Sequence, residues 1–197
     1  MAPSTREALV TAAGELMDAG GLEAVTLREV GHRAGVSHNA PYKHFADKEA
    51  LLAAVAAREL DRRRTALLET VGSDESPEVV LRAAMHGYVA WALANPVRFK
   101  LVYGSWSKGS DELAAAAKAS RGLLIGAVAA AQEAGALPPG DAERVTALLQ
   151  ALAHGAVDLA LSGHLSPEGK GKAGPDDLVD DLFLHLKAAV TRTGRPA

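Results

Sequence analysis

LREVGHRAGVSHNAPYKHF, residues Leu27–Phe45, holds two short apolar-periodic segments on either side of Ala34-Gly35-Val36. Val30 and Ala34 share a helical face at i, i+4, and Leu27 joins them three residues before Val30. Gly35 can take the positive φ that a sharp inter-helix turn needs, and Val36 plugs the angle. Ser37 is expected to cap the second helix. That helix then presents Ser37, His38, Asn39, Tyr42, Lys43 and His44, nearly all able to hydrogen-bond DNA. This is the sequence form of a helix-turn-helix, whose first helix braces the second against the major groove. Pro41 removes an early backbone donor and pushes Ala40 from ideal α geometry, so the second helix is expected to start irregularly or be short.

Working outward, Ser4 or Thr5 caps a first helix to about Ala19, with Leu9, Ala12, Ala13, Leu16 and Met17 as its apolar stripe. Thr26, with Glu29 three residues on, has capping-box spacing for the bracing helix. Asp47 caps a long fourth helix, Lys48 to about Val71. The clearest break is 72–77, GSDESP; a helix follows from Pro77 to Asn95. A short helix, Pro96–Tyr103, precedes the polar turn Gly104–Ser110. Further helices are expected over Asp111–Ala134, Asp141–Leu161 and Asp176–Thr191. The glycine-rich loop Ser162–Pro175 reads as mobile, and the end of the chain as frayed. The fold class is all-α, about nine helices with no convincing strand. A helix-turn-helix domain spans 1–47, a connecting helix 48–76, and a helical ligand-binding and dimerisation domain 77–197.

The chain has 197 residues, 48% apolar but only 4% aromatic, so Leu, Val and Ala must fill the core. Without cysteine it has no disulfide framework and no thiolate metal site. No apolar run reads as a membrane span and no signal-peptide core is visible, so a soluble cytoplasmic protein without cofactor or metal is expected. A net charge of −3 argues against a non-specific nucleic-acid coat. Between residues 28 and 48, however, Arg28, Arg33, Lys43 and Lys48 outnumber Glu29 and Asp47, with His32, His38 and His44 in reserve. Positive charge is concentrated where DNA would lie.

Residues 6–55 resemble the N-terminal domain of the TetR family of transcriptional regulators. The matching residues are Arg6, Leu9, Ala12, Ala13, Leu16, Gly20, Thr26, Leu27, Val30, Ala34-Gly35-Val36-Ser37, Tyr42, His44-Phe45, Lys48-Glu49 and Leu51-Leu52. Tyr88–Pro96 and His154-Gly155 resemble a branch with a Trp-His-Gly C-terminal domain, although Ala153 stands where its Trp would be. The resemblance implies a homodimer that binds a palindromic double-stranded operator and a small-molecule effector. It places Ser37, His38, Asn39 and Tyr42 toward the groove, where Asn pairs with adenine and His donates to guanine. Lys43, His44 and Lys48 are then phosphate contacts, Lys48 aided by a helix N-terminus, and Thr26 and Arg28 hold the opposite strand. Phe45 anchors the helix in the core.

The scarce aromatic residues gather at Tyr88, Trp91, Phe99, Tyr103 and Trp106. With Met85, Leu124, Val128, Leu148 and Leu152 they either line an apolar cavity or pack as solid core. His86, Tyr103 and His154 supply polar groups. A pocket so built suits a small, largely hydrophobic effector. By the resemblance, the last two helices pair with their symmetry mates through Leu148, Leu152, Gly155, Ala156 and Leu159, then Leu178, Leu182 and Leu186. A competing reading is an all-α magnesium-dependent prenyl- or terpenoid-type enzyme using the aspartates of Asp176–Asp181. It lacks a second acidic motif and basic residues for a diphosphate. His154 and Asp158 have zinc spacing at i, i+4 but no third ligand nearby.

Overall fold

The computed structural model describes residues 3–71 and 75–193. Residues 72–74, in the expected break, and the end of the chain after Thr193 lie outside the described residues. Among those described are nine α-helices, a 3-10 turn at Leu22–Ala24 and no strand. The helices are α1 (Thr5–Gly20), α2 (Leu27–Arg33), α3 (Ala40–His44), α4 (Lys48–Val71), α5 (Pro77–Ala94), α6 (Pro96–Val102), α7 (Asp111–Glu133), α8 (Ala142–Leu161) and α9 (Pro175–Thr193).

Local chemistry explains most boundaries. The Ser4 hydroxyl accepts the Glu7 N–H at 3.2 Å while the Glu7 carboxylate accepts the Ser4 N–H at 2.7 Å, a reciprocal capping box. Thr26 accepts the Glu29 N–H at 3.2 Å, and Asp47 accepts the Ala50 N–H at 2.9 Å. Ser37 departs from expectation. The second helix starts three residues later, with Asn39 at its N-cap and no side-chain cap bond. Pro41 sits in the first turn, which leaves α3 only five residues long. The segment Ser162–Gly174 contains a closed turn. It closes through Ser166 N–H to the Lys170 carbonyl at 2.9 Å and buries Leu165.

The chain packs as two compact units, 1–63 with 95–120 and 64–94 with 121–197. Helices α4 and α7 each contribute to both. This packing interleaves the chain, whereas the expectation from sequence is a linear partition into 1–47, 48–76 and 77–197.

In the first unit α1 packs on α2, α3 and α6. Its core takes Leu9, Ala13 and Met17 from α1, Val30 from α2, and Phe45 with Leu51 and Val55 around α4. Polar ties join the helices. Arg58 of α4 donates to the Thr11 hydroxyl at 2.8 Å and to the Val10 carbonyl at 2.9 Å in α1. Arg98 of α6 forks onto both oxygens of Asp18, at 2.8 and 2.7 Å, and also pairs with the buried Glu59. A bidentate guanidinium of this kind holds angle as well as distance. In the second unit α5, α8 and α9 pack on one another. Val80, Leu81, Met85, Val89, Val128, Leu149, Val157, Val179 and Phe183 are buried there.

One correction concerns membranes. Helix α7 is long and apolar enough, by length and composition alone, to cross one. Alanine supplies most of that apolarity, and Lys118 and Arg121 lie within the helix.

The seat of α3 depends on one close approach. A Cβ built on Gly31 of α2 would lie 2.9 Å from Cγ of Pro41, which is buried. Gly31→Ala should therefore force α3 off α2 and cost about 1–3 kcal/mol, the usual penalty for overpacking. Thermal unfolding of the variant checks the cost. A melting temperature equal to the parent's would show that the proline ring yields without effect.

Candidate nucleic-acid interface

Gly35 adopts φ +66 in the turn, and the Val36 N–H returns to the Gly31 carbonyl at 3.1 Å, so the chain reverses sharply after α2 as its sequence implies. Phe45 leaves α3 in extended geometry and is buried, with the Arg6 guanidinium 5.3 Å from its ring centroid. Pro41 and Phe45 thus pin both ends of a helix too short to hold itself.

The opposite face is exposed. Ser37, His38, Asn39, Tyr42, Lys43 and His44 all reach solvent, Tyr42 at 54% of its surface. The His38 and Tyr42 rings lie 6.0 Å apart, tilted by 60°. Thr26 and Arg28 are exposed at the start of α2, although the Thr26 hydroxyl already serves as its cap. Lys48 is half-buried, and its ammonium donates to the Leu22 carbonyl at 2.7 Å, tying α4 to the turn after α1. At the start of α4 the Asp47 carboxylate accepts one N–H, that of Ala50.

The expected pocket residues are divided between the two units. Phe99, Tyr103 and Trp106 belong to the first unit, where Phe99 is buried and Tyr103 accepts from Arg63 at 2.9 Å. Met85, Tyr88, Leu124 and Val128 are buried in the second unit, with Trp91, Leu152 and His154 half-buried. The Tyr88 hydroxyl bonds His154 Nδ1 at 2.9 Å, which joins α5 to α8.

An apolar cavity of about 350 Å³ in the second unit has a different lining: Glu75, Pro77 and Val80 beside Gly122, Leu123, Gly126, Ala127 and Ala130 of α7. Its one sequence signal was small residues at i, i+4 and i+8, Gly122, Gly126 and Ala130. An emphasis on aromatics passes over such a stripe.

His86 lies elsewhere too. Its Nδ1 is 2.6 Å from Asp176 and its Nε2 3.0 Å from Asp180, one turn apart on α9. Arg82 flanks it, 3.8 Å from Asp180 and 5.4 Å from the Phe183 ring centroid, and Lys187 meets Glu78 at 3.3 Å. Burial alone would lower the imidazole's pKa, but the bonds to Asp176 and Asp180 outweigh it and raise the value above its ordinary 6.5. The aspartates of the enzyme reading are engaged here, and Asp177 accepts the Gly174 N–H at 2.7 Å. Among the described residues no group of three His, Asp or Glu could hold a metal.

On α8, Leu148 and Leu159 are exposed at 65% and 45%, with Leu152 and Gly155 half-buried between them. Ala156 is buried within its own unit, because it lies on the α8 face shared with Ala153 and Val157. On α9, Val179 and Phe183 point inward, Leu178, Leu182 and Leu186 are half-buried, and Leu184 is exposed at 63%.

Residues 9–55 match the family model of bacterial regulatory proteins, tetR family, and residues 81–186 match the tetracyclin repressor-like C-terminal domain. The chain belongs to the TetR family. It is a DNA-binding transcriptional regulator. A protein of unknown function from Rhodococcus sp. RHA1 is 31% identical, with 95% of this chain and 96% of that one covered and a TM-score of 0.79. A TetR/AcrR-family transcriptional regulator from Thermobifida fusca YX-ER1 is 22% identical over 92% and 96% of the chains, TM-score 0.66. AibR, solved with isovaleryl coenzyme A and operator DNA, is 18% identical over 93% and 98%, TM-score 0.65. Among curated proteins none matches the chain significantly.

Two outcomes test this geometry. Tyr42→Ala should weaken binding to a selected operator by about 1–3 kcal/mol without altering the fold. Gel-shift affinity equal to the parent's would remove Tyr42 from the interface. For His86 the folded pKa lies above the unfolded one. Its contribution to stability is therefore complete below the ordinary value and disappears as pH rises through the raised one. Melting temperature should fall as pH rises from the ordinary histidine value through the raised one in the parent, and less so in His86→Asn. Equal slopes would show that the seam does not hold a proton.

Proposed function

We propose that this TetR-family regulator is a homodimeric repressor that leaves a palindromic operator when a small, largely hydrophobic effector binds. The observation that carries the DNA half is the solvent-facing cluster Ser37, His38, Asn39, Tyr42, Lys43 and His44 on a helix seated by Pro41 and Phe45. Asn39 and His38 read base edges, Tyr42, Lys43 and His44 meet phosphate and sugar, and Thr26 and Arg28 steady the opposite strand. Lys48 braces the turn after α1 with one N–H and has two further donors for a phosphate.

A palindrome requires two reading helices one helical turn apart, about 34–36 Å, which one chain does not supply. The outward seam Leu148, Leu152, Gly155 and Leu159 repeats at i, i+4, i+7 and i+11, the spacing of a helix-packing face. Leu178, Leu182, Leu186 and Leu184 extend the pairing surface on α9. Ala156 no longer belongs to it.

The effector half rests on the cavity beside α7, whose lining carries one charged residue, Glu75, among apolar and small side chains. That composition favours an aliphatic body. AibR's isovaleryl coenzyme A is an instance of a ligand bound by a protein of this fold. The Trp-His-Gly branch is a finer assignment. In its favour, the Tyr88–His154 bond joins the two segments that carry the resemblance. A cytoplasmic site of action accompanies the regulatory role.

Selection of bound duplexes from a random pool should return a two-fold symmetric consensus, and random recovery would overturn the operator reading. Leu148→Asp should raise the dimer dissociation constant about tenfold or more, read by light scattering on a sizing column. A parent that runs as a monomer at all concentrations would remove the dimer.

A further inference from the structure

The polar corner between α6 and α7 is fastened to the base of the reading helix. One oxygen of the Glu49 carboxylate, in the first turn of α4, accepts the backbone N–H of Ser107 at 2.6 Å and that of Lys108 at 2.9 Å. Its other oxygen accepts the Ser107 hydroxyl. The Lys108 ammonium pairs with Asp47, the residue that caps α4. A second tie lies alongside. Glu112, in the first turn of α7, pairs with Arg6 at 2.5 Å, and the Arg6 guanidinium rests over Phe45, the residue that ends α3. All these groups fall within the first unit, and Arg6, Phe45, Asp47, Glu49, Lys108 and Glu112 line one cleft of about 380 Å³.

The chain that leaves α3 is thus short and doubly held. Only Ala46 separates Phe45 from Asp47, so whatever fixes Asp47 and Glu49 also fixes the exit of a five-residue helix. Carboxylate bonds to backbone N–H groups are charge-assisted and directional, unlike a lone surface ion pair. The Ser107 and Lys108 bonds hold the Glu49 carboxyl below its ordinary range, and Lys108 with the Ala50 N–H does the same for Asp47. Both therefore stay ionised at neutral pH.

We propose that Glu49 is a positioning residue for DNA recognition: it latches the Ser107-Lys108 corner onto the start of α4 and so fixes the seat of α3. The inference rests on the operator-binding reading above and adds a part that touches no DNA. A loosened corner leaves α3 pinned by Pro41 and Phe45 but free at its exit, and ordering that exit then opposes docking. The corner leads directly into α7, the helix whose later residues Gly122–Ala130 line the apolar cavity.

Glu49→Gln keeps the shape but removes the charge and turns one acceptor into a donor. Ser107→Ala removes the hydroxyl bond alone and takes no charge from the surface. Glu49→Gln should raise the exchange rate of the amides in Phe45–Ala50 several-fold in the free protein. It should weaken binding to the duplex selected by the parent about tenfold. Ser107→Ala should do both to a smaller extent, and the double variant should lose no more than Glu49→Gln, since both disturb one bonded unit. Unchanged exchange in Phe45–Ala50, parental affinity in Glu49→Gln, or losses that simply add would overturn the latch. Failure of the parent itself to select any duplex would overturn the operator reading instead, while the exchange rates still decide whether the latch orders the segment.

Discussion

A five-residue helix has no independent stability, and the reading face of this protein is built on one. The constraint that makes it stand is the contact of the Pro41 ring with Gly31, where α2 has no side chain to keep α3 away. Proline fixes its own φ, glycine clears the space, and Phe45 enters the core one turn later. The consequence is an exposed face of side chains able to donate or accept, because Pro41 and Phe45 are turned inward. Recognition chemistry here follows from a packing solution.

The rest of the first unit keeps that seat from tilting. Arg58 and Arg98 tie α4 and α6 to α1 through bonds with fixed direction, and apolar burial alone would leave those helices free to slide. Buried guanidiniums are costly unless fully partnered, so their value lies in specifying geometry more than in net stability. Glu49 and Asp47 apply the same logic at the surface. Two carboxylates, the Asp47 cap and Glu49 in the first turn of α4, gather a corner from more than fifty residues away and set it beside the end of α3.

In the second unit the polar contacts form a seam. Glu78, Arg82 and His86 lie at i, i+4 and i+8 on α5 and face Asp176, Asp180 and Lys187 on α9. Aspartates that read as a possible magnesium motif are partners of a histidine that read as a pocket residue. Two suggestions about separate chemistry resolve into one structural contact. The small-residue stripe of α7 becomes the wall of a cavity for the opposite reason: it has nothing to fill the space.

What the linear chain determined is whatever depends on near neighbours. A cap at Ser4 or Thr5, the Thr26 and Asp47 caps, the positive φ of Gly35 and the brevity of α3 after Pro41 all act within a few residues and were legible, although the reciprocal partner Glu7 was not read. The helix count and the helix-turn-helix followed from periodicity. Ser37 failed as a cap because proline delayed the helix, a conflict between two local rules that only the folded backbone resolved. Tertiary structure alone decided which residues meet across long separations. It put Phe99 and Tyr103 in one unit and Tyr88 and His154 in another, although the aromatics lie close in sequence. It gave His86 to α9 and Ser107 to Glu49. Periodicity says which face of a helix is buried, and only packing says what stands opposite it.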